Sequence, residues 1–297
     1  MNQGLPSDTL RLGLPSGSMQ SSTIELFGRA GYRISLADRS VFPRLDDEKM
    51  SAVLFRAQEI SRYVVDQVVD CGLTGYDWIV ENGNQDQIVE ICELTYSRAT
   101  GMPARWVLAV PEESKAQKPA DLEGGIIATE LVNTTRKYFA SRGINVNVEF
   151  SWGTTEIKAR ILDAIVELTE TGSSIRANNL RILDTLLSST IRFIANKAAW
   201  DIPWKREKME NIAMLLRGAI EAKAKVGLKM NVPDDRLAEV VSFLPAEKSP
   251  TVSRLADTGW VAVEVILEER QERELIPRLK RAGATGIITY PLNKVIP

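Results

Sequence analysis

The chain has 297 residues, 44% hydrophobic and 26% charged, with 37 Lys and Arg against 39 Asp and Glu and a net charge of −2. That length predicts two or three domains with cores of ordinary size, and the near-neutral charge excludes the electrostatic footprint of a nucleic-acid or acidic-membrane binder. There is no histidine, which removes the serine triad, the usual imidazole base and the commonest metal ligand.

The opening residues, MNQGLPSDTLRLGLP, carry no basic segment leading into an apolar stretch. No apolar run approaches about 20 residues. The expectation is a cytoplasmic protein with no membrane span. LRLGLP (10–15) predicts a strand ending in a Ser/Gly loop, SGSMQSS, followed by a helix over 21–30 that Gly31 caps. Asp46-Asp47-Glu48-Lys49 reads as a solvated helix start. AVLFRA (52–57) predicts a strand, and ISRYVVDQVVD (60–70) a helix with Tyr63, Val64 and Val68 on one stripe. GLTG (72–75) reads as a tight turn. Cys71 and Cys92 have neither metal nor CxxC spacing and read as small buried apolar residues.

RWVLAVP (105–111), GGIIATE (124–130) and VNVEFSW (146–152) predict three more strands, with a helix at TTRKYFASRG between the last two. Such alternation implies a mainly parallel α/β sheet. Trp106 and Trp152 read as core residues rather than platforms for an adenine ring. KREKMENIAMLLRGAIEAKAK (205–225) predicts a joining helix. Beyond about residue 222 the pattern becomes strand (KVGLKMNV), helix (PDDRLAEVVSFL), two strands around a turn at Asp257–Gly259, helix (RQERELIPRLKRAG) and strand (GIITYPLNKVI). That βαββαβ order is ferredoxin-like. Arg273, Arg278, Lys280 and Arg281 read as the wet face of its second helix.

The most informative stretch is DAIVELTETGSSIRANN (163–179). Asp163 and Glu167 are four apart, which places them on one face of either a strand or a helix. The alternation of Ala164, Val166 and Leu168 with the acids favours a strand. It breaks at Thr171-Gly172-Ser173-Ser174 into a new helix. Small hydroxyl residues, a glycine and the free amides of a helix start suit a phosphate, and neighbouring carboxylates suit sugar hydroxyls. From the residues alone two readings stand: a sugar-phosphate site, or a helix N-cap with solvated acids.

DAIVELTETGSSIRANNL resembles the phosphoribosyl-pyrophosphate loop of the ATP phosphoribosyltransferases. RAQEISRYV (56–64), DCGLTGYD (70–77), IATELVNTTRKYF (127–139), FSWGTTEIK (150–158) and SPTVSRL (249–255) resemble further blocks of that family in the same order. The resemblance covers almost the whole chain and is to the family's long form. It implies an α/β protein with a two-lobed, type II periplasmic-binding-protein-like catalytic part over 1–222, its second lobe at about 98–195. A ferredoxin-like, histidine-binding regulatory domain is implied over 223–297. It implies transfer of phosphoribosyl from phosphoribosyl pyrophosphate to N1 of ATP with Mg²⁺, inhibition by L-histidine, and a homo-oligomer, dimer or hexamer.

The implied roles follow the matching positions. Asp163 and Glu167 sit near the ribose as the catalytic pair, and Thr169, Glu170, Thr171, Gly172, Ser173 and Ser174 bind the phosphoribosyl donor. Ser16, Gly17, Arg56, Asp70, Gly72, Gly75 and Glu130 belong to the ATP side and the cleft. Thr251 and Ala284 are candidate histidine-pocket positions, with turn and packing roles as the plain alternative. Trp200 and Trp204 are expected to pack between lobes. One departure stands out: where the family commonly has Pro-Lys-Gly-Arg-Leu, this chain has Pro15-Ser16-Gly17-Ser18-Met19. Arg56, Arg136 and Lys158 are the candidate replacement cations. The rival expectation is a non-catalytic ligand sensor built on the same two-lobed fold.

Overall fold

The computed structural model describes residues 8–38, 40–96, 102–245, 249–256 and 259–296. Its two compact units are Met1–Ala213 and Met214–Pro297. In the first, Leu10, Leu12 and Leu14 are buried in β1 (Leu10–Pro15). Then come α1 (Gln20–Ala30), the short pair β2 (Ile34–Ser35) and β3 (Arg44–Leu45), β4 (Met50–Phe55), α2 (Ala57–Val65), β5 (Cys71–Gly75), α3 (Tyr76–Glu81) and β6 (Ile88–Leu94). β7 (Ala104–Pro111), β8 (Ile126–Thr129), α4 (Val132–Ala140), β9 (Asn147–Phe150), α5 (Thr155–Lys158), β10 (Ala164–Thr169), α6 (Ser173–Ala177) and β11 (Leu180–Ser189) follow. β12 (Ile191–Asn196), α7 (Lys197–Trp200) and the start of α8 (Pro203–Glu221) complete the unit.

These strands form two five-stranded sheets, ordered β4-β1-β5-β12-β6 and β11-β7-β10-β8-β9. Neither is mainly parallel. β12 returns to the first sheet and runs antiparallel to both β5 and β6. In the second sheet β7 runs antiparallel to both β10 and β11. The chain therefore leaves the first sheet after β6 and comes back at β12, with the second lobe inserted between. Thr190 alone separates β11 from β12, and Leu94 faces Ile191 across the β6–β12 ladder. Two lobes with a double crossover make the type II periplasmic-binding-protein-like arrangement.

Three local expectations are corrected. GLTG is a strand, not a turn: Cys71 to Gly75 are all buried in β5. Its glycines serve close packing. A Cβ on Gly72 would stand 2.6 Å from Ile60 Cγ2 and 3.0 Å from the Gly13 carbonyl. The helix expected over 60–70 starts earlier and ends at Val65. Gln67 turns left-handed (φ 58), and the amides of Gln67 and Val68 donate back to the carbonyls of Val64 and Tyr63, which closes the helix end. Asp46 to Lys49 form no helix; Asp46 accepts from the Arg33 amide and Asp47 from the Lys49 amide, within the turn before β4.

The second unit continues α8 into β13 (Lys225–Pro233), α9 (Leu237–Phe243), β14 (Thr251–Arg254), β15 (Trp260–Glu268), α10 (Glu272–Arg281) and β16 (Thr285–Pro291). Its sheet order is β14-β15-β13-β16, every neighbouring pair antiparallel. Leu228, Met230 and Val232 alternate inward and meet Val240, Leu275 and Leu279 of the two helices. This is the ferredoxin-like module; Asp257, in the expected turn, lies outside the described residues. The division between the units falls within α8. Among the described residues, no helix is long and apolar enough to cross a membrane.

Candidate active site

A cavity of about 610 Å³ in the first unit is lined from both sheets. The first sheet contributes the loop after β1, including Ser16 and Gly17, the Arg56-Ala57-Gln58 corner after β4, and Gly75, Asp77 and Trp78 where β5 passes into α3. The second contributes Trp106 on β7, Glu130 after β8, and the end of β10 with its turn: Glu167, Thr169, Glu170, Thr171, Ser173 and Ser174. Ser189, Thr190 and Ile191 form the wall where the chain passes between lobes.

The turn after β10 is ordered by its own hydroxyls. Gly172 adopts φ 74 ahead of α6, a conformation that suits glycine. Its amide donates to Thr169 Oγ1 at 2.8 Å, and the Ser173 amide to Thr171 Oγ1 at 3.3 Å. Those amides are therefore not bare, as the sequence reading has them. Gly172 itself is absent from the lining, and the hydroxyls of Thr171, Ser173 and Ser174 accompany Glu167 there.

The i, i+4 acids are not brought together at the cavity. Strand geometry separates them by about 13 Å along β10. Glu167 stands at the cavity end, whereas Asp163 precedes the strand and its Oδ2 accepts the Ile126 amide at 2.8 Å. Asp70 and Gly72 also lie outside the lining. Asp70 is buried under Arg11 and Lys205, accepting from Arg11 Nη2 at 2.8 Å and Lys205 Nζ at 2.7 Å. Those cations hold its carboxyl below the usual range against the opposing effect of burial.

Burial pushes the Glu167 carboxyl up to about 7, aided by the charges of Glu156 and Glu130 and opposed by the Leu168 amide and the Thr155 hydroxyl. Burial also raises Glu130, again with a neighbouring acid, Asp77, adding to it; Gln58 and the Gly153 amide hold it back. Asp77, 4% exposed, is raised by burial in spite of hydrogen bonds from Trp106 and Ser189. Among the described lining residues, Arg56 is the one cation, against four acids, Asp77, Glu130, Glu167 and Glu170. Of the other two candidate replacements for the missing cations, Arg136 donates to the Val148 carbonyl and Lys158 to Ser151. An acidic lining suits positive charge on a ligand and phosphates that arrive already complexed by a cation. Among the described residues no group of three or more Asp, Glu, Cys or His could hold a metal by itself.

Sequence reasoning missed Asp77, Trp106 and the Ser189–Ile191 wall. Asp77 ends a block already singled out, but nothing in sequence shows that Trp106 comes to meet it. Trp106 is buried as expected, whereas Trp152 is 63% exposed, with the Arg56 guanidinium 5.4 Å from its ring centre. Trp204 is likewise exposed, and Trp200 meets the Arg206 guanidinium on α8. In the second unit Thr251 is exposed on β14 and Ala284 is packed in the core. A cavity of about 680 Å³ there is lined by Phe243 and the α10 side of the module, Arg270, Arg278 and Arg281 included, and by neither of those two residues.

The model of the ATP phosphoribosyltransferase family matches residues 56–228, and that of the family's C-terminal domain matches residues 222–294. The ATP phosphoribosyltransferase of Chlorobaculum parvum is 56% identical over 291 residues, 98% of each chain. That of Pelotomaculum thermopropionicum is 54% identical over 289 residues, 97% of this chain and 99% of its own. A solved ATP phosphoribosyl transferase complex from Thermotoga maritima superposes with a TM-score of 0.60 at 21% identity, covering 70% of this chain and 99% of that one, a likeness of fold. The chain belongs to the ATP phosphoribosyltransferase family in its long form, pentosyltransferases of histidine biosynthesis.

Proposed function

We propose that this enzyme displaces pyrophosphate from the anomeric carbon of phosphoribosyl pyrophosphate with N1 of ATP, and that the chemistry is centred on Glu167. The observation that carries this reading is that one strand end presents Glu167 and the Thr169–Ser174 turn to the same cavity as Arg56 and Glu130. The hydroxyls of Thr171, Ser173 and Ser174 bind the 5-phosphate. Glu167 faces the ribose ring, which gains positive charge as the pyrophosphate leaves. The nucleophile is a neutral ring nitrogen, so no strong base is needed, and a chain without histidine meets the need by orientation and electrostatics. Ser16, Gly17 and Gly75 lie on the ATP side, where Arg56 takes over from the cations missing at Ser16 and Ser18.

Mg²⁺ enters as part of the substrates, chelated by their phosphates, as is usual for this ion. That agrees with an acidic lining and with the absence of a metal cluster among the described residues. The C-terminal module binds L-histidine and inhibits the enzyme, the working form is a homo-oligomer, and the site of action is the cytoplasm. Mixing the protein with ATP, phosphoribosyl pyrophosphate and Mg²⁺ tests the reaction: the product's ultraviolet absorbance rises, and no change would refute it. Calorimetry with L-histidine on the intact protein tests the regulation, and absence of heat counts against it.

A further inference from the structure

We propose that Trp152 is a positioning residue for Arg56: its indole, reaching across from the second lobe, holds the guanidinium where the phosphates of ATP arrive. The proposal rests on the reading of Arg56 as the cation of the ATP side.

The backbone of Arg56 is fixed, and its side chain needs a partner. The residue caps α2 in an extended conformation, φ −62 and ψ 137, and its carbonyl accepts the Glu59 amide at 2.9 Å. Four acids share the cavity lining with it. Among the described residues, however, none of them pairs with the guanidinium, and its N–H groups donate no hydrogen bond. Its ring partner is Trp152, with the guanidinium carbon 5.4 Å from the ring centre. That lies inside the roughly 6 Å over which a cation is drawn to an aromatic face. A carboxylate partner would neutralise the arginine and compete with an incoming phosphate. An indole orients the guanidinium and leaves its charge and its donors for phosphate oxygens.

The indole stands on a braced loop. The Ser151 amide donates to the Thr129 carbonyl at 2.9 Å. Ser151 Oγ accepts from Lys158 Nζ at 2.7 Å and lies 3.0 Å from Thr155 Oγ1. Ser151 and Thr155 are each 1% exposed. Between them the chain reverses through two consecutive left-handed residues, Gly153 (φ 66) and Thr154 (φ 51). A β-branched threonine rarely adopts that conformation, and it persists where the surroundings fix it. The large side chain that this reversal turns outward is Trp152, 63% exposed. Burial therefore does not account for an indole here, whereas a cation to hold does.

The contact also crosses between the lobes. Arg56 follows β4 and Trp152 follows β9, each the edge strand of its sheet. The chain passes between the lobes after β6 and after β11, which are the opposite edges of the same two sheets. Trp152 thus reaches Arg56 on the side that lies farthest, in strand order, from the crossings.

Initial rates with each substrate varied, on the intact enzyme, test the proposal. Trp152→Leu should raise the KM for ATP about three- to fivefold and leave the KM for phosphoribosyl pyrophosphate within about twofold. Trp152→Phe, which keeps an aromatic face, should restore most of the ATP value. Phe150→Ser, at an equally exposed apolar residue two positions earlier, should leave both values unchanged. Arg56→Met should raise the KM for ATP about tenfold or more, and Trp152→Leu should cost nothing further in that background. ATP with Mg²⁺ should also change an indole emission component that Trp152→Phe lacks. An unchanged KM for ATP in Trp152→Leu overturns the proposal, as does an equal loss in the Arg56→Met background. A matched loss in Phe150→Ser overturns it too, marking the exposed apolar surface itself as what matters. An unchanged KM for ATP in Arg56→Met would instead remove Arg56 from the ATP side. A raised value there beside an unperturbed Trp152→Leu would remove only the positioning role.

Discussion

Trp106 Nε1 donates to Asp77 Oδ2 at 2.7 Å, joining a strand of the second sheet to a helix of the first at the cavity wall. Both residues are buried. Removing the donor strands a carboxylate, whereas an amide in place of the acid still accepts from the indole. Trp106→Phe is therefore expected to destabilise the protein by about 1–3 kcal/mol, and Asp77→Asn by less. Urea unfolding of the two variants checks the order; equal losses would deny the bond its role.

Glu167→Gln should lower turnover about 100-fold, the size of effect seen when a preorganised electrostatic contact is lost, with little change in melting temperature at acid pH. The pH dependence carries a sign. Burial raises the folded carboxyl to about 7, above its value in the unfolded chain, so the folded state holds the proton longer. That contribution is full below the unfolded value and is lost as pH rises through about 7. Wild type should therefore lose stability relative to Glu167→Gln between mildly acidic and neutral pH, and the gap should stop growing above that. Melts across this range decide it, and a gap that narrows with rising pH would contradict the burial.

Gly172→Ala places a Cβ 3.0 Å from Arg176 Nη1 on a backbone with φ 74. The strain should cost about 1 kcal/mol and raise the KM for phosphoribosyl pyrophosphate more than the KM for ATP. Initial-rate kinetics with each substrate varied separately read the split, and a matched rise in both would place the turn away from the donor.

Lys205→Met should act in the opposite way, on stability and not on rate. Lys205 shares the buried Asp70 carboxylate with Arg11, and none of the three lines the cavity. Loss of one partner from a buried ion cluster costs about 3 kcal/mol. A stable variant with altered kinetics would show that Asp70 serves the reaction after all.

Much of the fold was legible because its signals are local. Leu10 to Pro15, Arg105 to Pro111 and the βαββαβ run advertise their periods, and Gly31 and Gly172 mark ends that the structure confirms as left-handed. GLTG misled because glycines at a close helix contact look like glycines at a turn; Ile60, which presses on Gly72, lies outside that window. Spacing put Glu167 and Asp163 on one face, but Asp163 precedes β10, four residues of strand are a long way, and only Glu167 reaches the cavity. The partnership of Asp77 with Trp106 depends on the double crossover, which a linear pattern does not reveal.

The pairing of Leu94 with Ile191 has a mechanical meaning. The outgoing and incoming chains run side by side, so both covalent crossings into the inserted lobe share a single neck instead of two distant tethers. Twisting one of those strands drags its neighbour through their shared ladder. Ser189 and Thr190 belong to that neck and also line the cavity, so part of the reaction chamber's wall is the connecting ribbon itself.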